Sequence, residues 1–95
     1  MPVRTLVTAA SVPRLVAGAR LKHDAARGRW VVLAPERVFM LDDTAAEVMG
    51  VLDGERSVQA MAELLAARFA APADTVLADI TEMLQDLADK GVLAA

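Results

Sequence analysis

The spacing of apolar residues changes its period near Leu41, and this constrains the fold more than any other feature of the chain. Upstream of that point, short runs are punctuated by turn residues. Arg20-Leu21-Lys22-His23-Asp24 is followed by Ala25-Ala26-Arg27-Gly28 and then by Trp30-Val31-Val32-Leu33-Ala34. Two strands joined by a glycine-containing loop account for that order. Pro35-Glu36 supplies a second tight turn, with proline setting φ for its first central position. Arg37-Val38-Phe39-Met40-Leu41 follows as a third strand, so the upstream half predicts a three-stranded antiparallel meander with the Trp30–Ala34 strand in the middle.

Downstream of Leu41 every segment has helical spacing. Thr44-Ala45-Ala46-Glu47 fits a capping box for a first helix that runs to about Leu52 and is stopped by Asp53-Gly54. Ser57 is placed to cap a second helix, on which Val58, Met61, Ala62, Leu65 and Phe69 recur at three- and four-residue intervals. Pro72 interrupts the chain before a third helix. There Val76, Leu77, Ile80, Met83, Leu84 and Leu87 fall within about 120° of arc, a buried stripe, and Gly91 ends the helix. The expected class is α+β: a three-stranded antiparallel sheet followed by three helices, resembling a winged helix-turn-helix whose wing comes first. Residues 20–93 form this domain. Residues 1–19 show no periodic pattern and are expected to be a weakly ordered N-terminal arm, with Leu6, Val7, Val12, Leu15 and Val16 available to lie over the sheet.

Composition removes most kinds of catalysis. At 95 residues the chain has room for one core, and it contains neither Cys nor Tyr. Disulfides, cysteine-bound zinc and cysteine-held iron–sulfur clusters are therefore excluded. His23 is the only imidazole, and Ser11 and Ser57 are the only serines, so no nucleophile–base pair is evident. Asp42-Asp43 is explained by its position before a helix, where carboxylates favour the dipole. No phosphate loop or dinucleotide fingerprint is present. The expectation is a non-enzymatic protein without a cofactor or metal. No apolar run approaches the ~20 residues of a membrane span, and Leu6–Val12 is too weak for a signal peptide, which points to a cytoplasmic protein.

The net charge of −3 combines a balance of +5 over residues 1–41 with one of −8 over residues 42–95. The third helix alone carries Asp74, Asp79, Glu82, Asp86 and Asp89 against Lys90. Phosphate contacts require cations, so a helix of this charge repels duplex DNA and nucleic acid is not an expected partner. The sheet is more informative. Its first strand is guarded as an edge by Arg20, Lys22 and Asp24, whereas the third carries only Arg37 before Val38-Phe39-Met40-Leu41. An unguarded apolar edge either aggregates or accepts a peptide as a further strand. A small winged-helix module that dimerises through this edge or binds DNA is the alternative, so a homodimer stays open.

The residues also resemble a known family. Arg20-Leu21-Lys22-His23-Asp24, Gly28-Arg29-Trp30-Val31-Val32-Leu33-Ala34-Pro35-Glu36-Arg37-Val38, Leu41-Asp42, Thr44-Ala45-Ala46, Leu52-Asp53-Gly54 and Asp79-Ile80 resemble the signature of the PqqD family across residues 20–93. Met49 and the segment 71–74 depart mildly from the pattern. The resemblance implies a peptide chaperone of pyrroloquinoline quinone (PQQ) biosynthesis and a prototype recognition element for ribosomally made, modified peptides. It implies that a precursor peptide, PqqA, is held and presented to the radical S-adenosylmethionine enzyme PqqE, which joins a Glu and a Tyr side chain by a carbon–carbon bond. It further implies that the peptide lies along Arg37, Val38, Phe39, Met40 and Leu41, against a third helix bearing Asp79, Ile80, Met83 and Leu84.

Overall fold

The computed structural model describes residues 4–95. Its elements in chain order are β1 (Arg14–Leu15), β2 (Arg20–Asp24), β3 (Arg29–Ala34), β4 (Arg37–Met40), α1 (Asp43–Gly50), α2 (Val58–Phe69), α3 (Ala73–Asp89) and β5 (Leu93–Ala94). Strands β2, β3 and β4 form the expected meander in that order, all antiparallel, and the three helices follow. Among the described residues, no helix is long and apolar enough to cross a membrane.

The register fixes the two faces of the sheet. Leu21, Val32, Ala34 and Phe39 turn toward the helices, where Val32 joins a core of Val48, Met61, Leu65, Ile80 and Leu84. Alternation places Val31, Leu33, Val38 and Met40 on the opposite face. Trp30 to Ala34 is apolar at every position, the pattern of a strand covered on both faces. Val31 and Val32 are buried, but Val38 and Met40 on the outer face are exposed, and Trp30 remains 42% exposed at the strand's start, edge-on to His23. An antiparallel sheet tolerates one open face, which a continuously apolar strand does not reveal.

Helix ends follow local chemistry. Ser57 caps α2 by accepting from the Ala60 N–H at 3.1 Å. The α1 cap is Asp42, two residues before the expected Thr44, and its carboxylate accepts from the Ala45 N–H at 2.7 Å. A carboxylate at the cap also meets the positive end of the helix, so Asp42 outcompetes a hydroxyl further along. At the end of α3, Gly91 adopts φ of 79° while Val92 N–H bonds Leu87 C=O and Gly91 N–H bonds Ala88 C=O. This Schellman closure turns Val92 and Leu93 back into the core. The equivalent turn after α2 places Ala70 at φ 52° without glycine's freedom. Ala70→Gly is therefore expected to stabilise the fold by about 0.5–1 kcal/mol, visible as a rise of a few degrees in Tm. An unchanged or lower Tm would show that the left-handed cap is not strained.

From Arg4 onward the N-terminal segment lies along the helices, and residues 1–3 of the expected arm lie outside the described residues. Ser11 and Ala9 carbonyls accept from the Val58 and Gln59 N–H groups, serving two of the orphan donors at the start of α2. Gln85 on α3 accepts from Val7 N–H and donates to Thr5 C=O, while Pro13 is fully buried and β1 pairs with β5. Arg4 closes the contact through two hydrogen bonds to Asp89, at 2.9 and 2.8 Å. That guanidinium holds the Asp89 carboxyl below its ordinary range. The tether is thus at full strength above the ordinary carboxyl value near 3.9 and is lost as pH falls through the lower folded-state value. Relative to the intrinsic rate at each pH, protection of the Arg4 Nε proton from exchange should be lost in that acid window in the native chain, and at all pH values in Asp89→Asn.

Candidate functional site

Both edges of the meander lack a further strand, and the β4 edge is the apolar one. Leu41 N–H donates to Trp30 C=O at 3.0 Å, so Leu41 faces β3. Antiparallel pairing alternates, and Phe39 lies opposite Val32 in the register, so Phe39 faces β3 as well. Val38 and Met40, between and beside them, direct both N–H and C=O outward. The two residues are 58% and 48% exposed. β4 consequently offers two main-chain donor–acceptor sets, those of Val38 and Met40, spaced for another strand.

Beside this edge runs a shallow groove of about 180 Å³ between β4 and α3, lined by Phe39, Met40, Leu41, Ala45, Met83, Asp86, Leu87 and Lys90. Phe39 is its centre. Arg37 places its guanidinium 5.3 Å from the Phe39 ring centroid and Lys90 its ammonium 5.9 Å away, both within cation–π range. Arg37 also donates to the Lys90 carbonyl, tying the hairpin to the end of α3, and Lys90 pairs with Asp86 at 2.8 Å. The result is an apolar trough with charge at one end.

The nine residues named from sequence separate by position. Phe39, Met40, Leu41 and Met83 line the groove, and Val38 and Arg37 complete the strand beside it. Ile80 and Leu84 are buried in the core beneath, with Leu84 wholly inaccessible. Asp79 lies on the far flank of Met83, in a larger hollow of about 590 Å³ shared with Arg4, Glu82 and Asp89. That hollow is larger than the groove, but its lining is mostly carboxylate and it has no free strand edge. Sequence reasoning missed Ala45, Asp86, Leu87 and Lys90. The four-residue spacing of Asp86 and Lys90 is an ordinary helix pair and gives no hint of a groove.

The family model of coenzyme PQQ synthesis protein D (PqqD) matches residues 29–93. A PqqA binding protein of Bradyrhizobium diazoefficiens is 50% identical over 92 residues, covering 97% of this chain and 89% of that protein. One from Xanthomonas euvesicatoria is 48% identical over 87 residues, 92% of this chain and 95% of its own. The solution structure of the PqqD truncation of Methylobacterium extorquens PqqCD, described as a functional, stand-alone recognition element for ribosomally synthesised and post-translationally modified peptides, superposes with a TM-score of 0.84 at 42% identity, covering 96% of this chain and 97% of that one. The crystal structure of PqqD from Xanthomonas campestris gives 0.56 at 45% identity, covering 88% and 93%.

Proposed function

Because this chain belongs to the PqqD family, we propose that it captures the precursor peptide PqqA by strand addition at β4 and presents it to the radical S-adenosylmethionine enzyme PqqE. The family places the chain in PQQ precursor-peptide binding. The observation that carries the finer reading is the pair of outward-facing main-chain sets at Val38 and Met40, set beside the Phe39 groove. Backbone bonds to these two residues supply affinity, and side chains entering the trough fix register. Arg37, Val38, Phe39, Met40, Leu41 and Met83 form the contact surface in this reading. Ile80 and Leu84 shape its floor from beneath, and Asp79 flanks it. The chain acts as a binding protein and carries out no chemistry on the peptide.

The charge division of the sequence bears on capture. The sheet half carries the positive balance, with Arg27, Arg29 and Arg37 near the open edge. An acidic peptide is therefore drawn to this side, and steering acts mainly on association. Raising salt from ~50 to ~300 mM should slow association several-fold while dissociation changes little. Stopped-flow titration with labelled PqqA checks this, and a salt-independent association rate would remove steering from the account. Amide shifts on adding PqqA test the site itself: they should concentrate on β4 and the adjoining turns of α3. Shifts confined to β2 or α2 would overturn it.

A further inference from the structure

Apart from Val38, Met40 and Arg29, the sheet face that turns away from the helices has no role in the reading above. At its centre Val31 is only 3% exposed, although it stands outside the helical core. It is flanked across the ladder by Lys22 on one side and Met40 on the other. Val31 is thus covered by its neighbours, and the accessible apolar surface of this face is that of Val38 and Met40, with the half-buried Leu33 toward the hairpin. Along β2 the surface is bordered by Arg20 and Lys22, which make no ion pair among the described residues. Arg29 holds the border on β3, with its guanidinium near the Met40 sulfur. Asp24, the only carboxylate within these strands, is already paired with Arg27.

We infer that this outer sheet face is a docking surface for an acidic patch of a partner protein, separate from the peptide edge. Charge complementarity selects the occupant. A second copy would bring Arg20, Lys22 and Arg29 against their own kind. Single-stranded nucleic acid wants aromatic platforms, and the sheet's Trp30 and Phe39 both lie on the other face. A protein surface with an apolar centre and carboxylate rim fits both the flat middle and the cationic border.

The face is also continuous with the proposed peptide site. A strand added to β4 would place every second side chain beside Val38 and Met40, widening the same surface to four strands. A partner docked there would contact the chaperone and the bound peptide together, and each would then favour binding of the other. This part of the inference rests on the strand-addition reading.

The test uses the full chain and PqqE as the partner probe. In the double variant Arg20→Glu/Lys22→Glu, PqqA affinity measured at ~300 mM salt, where steering is screened, should stay within about two-fold of the native chain, since both residues lie on the strand farthest from β4. PqqE affinity should fall at least about ten-fold by calorimetry, as expected when like charges meet across an interface. The neutral variant Arg20→Gln/Lys22→Gln should give a smaller loss, and an unchanged thermal midpoint shows that either variant is folded. PqqE affinity equal to the native value in both variants would overturn the inference. So would loss of concentration-dependent self-association in the double variant with PqqE affinity intact, because the face would then belong to a second copy. Failure of the native chain to bind PqqA would instead defeat the strand-addition reading, and the PqqE measurement would still judge the outer face.

Discussion

Proline at Met40 should leave the protein folded and cost it the peptide, whereas proline at Phe39 should cost it the fold. The two positions are adjacent, and only the direction of their backbone groups separates them. Phe39 faces β3 opposite Val32, so Phe39→Pro removes a ladder bond and replaces a ring packed against the core. A destabilisation of roughly 3 kcal/mol or more follows, enough to unfold much of a marginal domain. Met40 turns its N–H to the open edge, where proline is tolerated. Met40→Pro should retain most of its thermal stability and lose about 1 kcal/mol or more of peptide affinity for the missing bond, a five-fold or larger rise in Kd. Val38→Pro should behave as Met40→Pro, and Leu41→Pro as Phe39→Pro, because Leu41 N–H is bonded to Trp30 C=O. Thermal melts and peptide titrations on the four variants check the alternation. If Val38→Pro and Met40→Pro both bind PqqA with native affinity, strand addition at β4 is wrong.

The second large effect contrasts two neighbours on α3. Leu84 has no exposed surface and lies among the core side chains, so Leu84→Ala should destabilise by about 2–5 kcal/mol. Its effect on peptide affinity should vanish once the loss of folded protein is allowed for. Met83, half-buried on the groove wall, should reverse that order. Met83→Ala removes apolar contact area offered to a ligand and little of the core, so its cost in Kd should exceed its cost in stability. Chemical denaturation and peptide titration of both variants measure the two quantities separately. A Met83→Ala variant that loses stability but keeps its affinity would place the peptide elsewhere.

What the sequence made legible depended on side-chain chemistry. The unguarded third strand was visible because β2 carries three charges and β4 only Arg37 at its start. The Ser57 cap and the Gly91 stop were visible because each rests on one residue type with one strong local preference. The α1 cap was misplaced because Asp42, Asp43 and Thr44 all suit the role, and only the chain's entry angle selects among them. The parity of β4 was hidden because Val38-Phe39-Met40-Leu41 is apolar throughout and has no alternation to read. The path of the N-terminal segment was hidden for a different reason. Its ties to α2 are main-chain carbonyls at Ala9 and Ser11, and its tie to α3 is the amide of Gln85. None of these leaves a periodic trace. Lys90 joined the groove only because α3 ends beside the hairpin, where Arg37 reaches its carbonyl.

Hydrogen exchange at two amides tests the central claim most directly. In the free protein the N–H groups of Val38 and Met40 point to solvent and should exchange quickly, while those of Phe39 and Leu41 are protected by β3. Saturating PqqA should slow exchange at Val38 and Met40 by an order of magnitude or more, as new main-chain bonds require opening before exchange. The amides of β2, at the other edge, should keep their free-protein rates. Unchanged exchange at Val38 and Met40 in a complex known to be saturated would contradict the account.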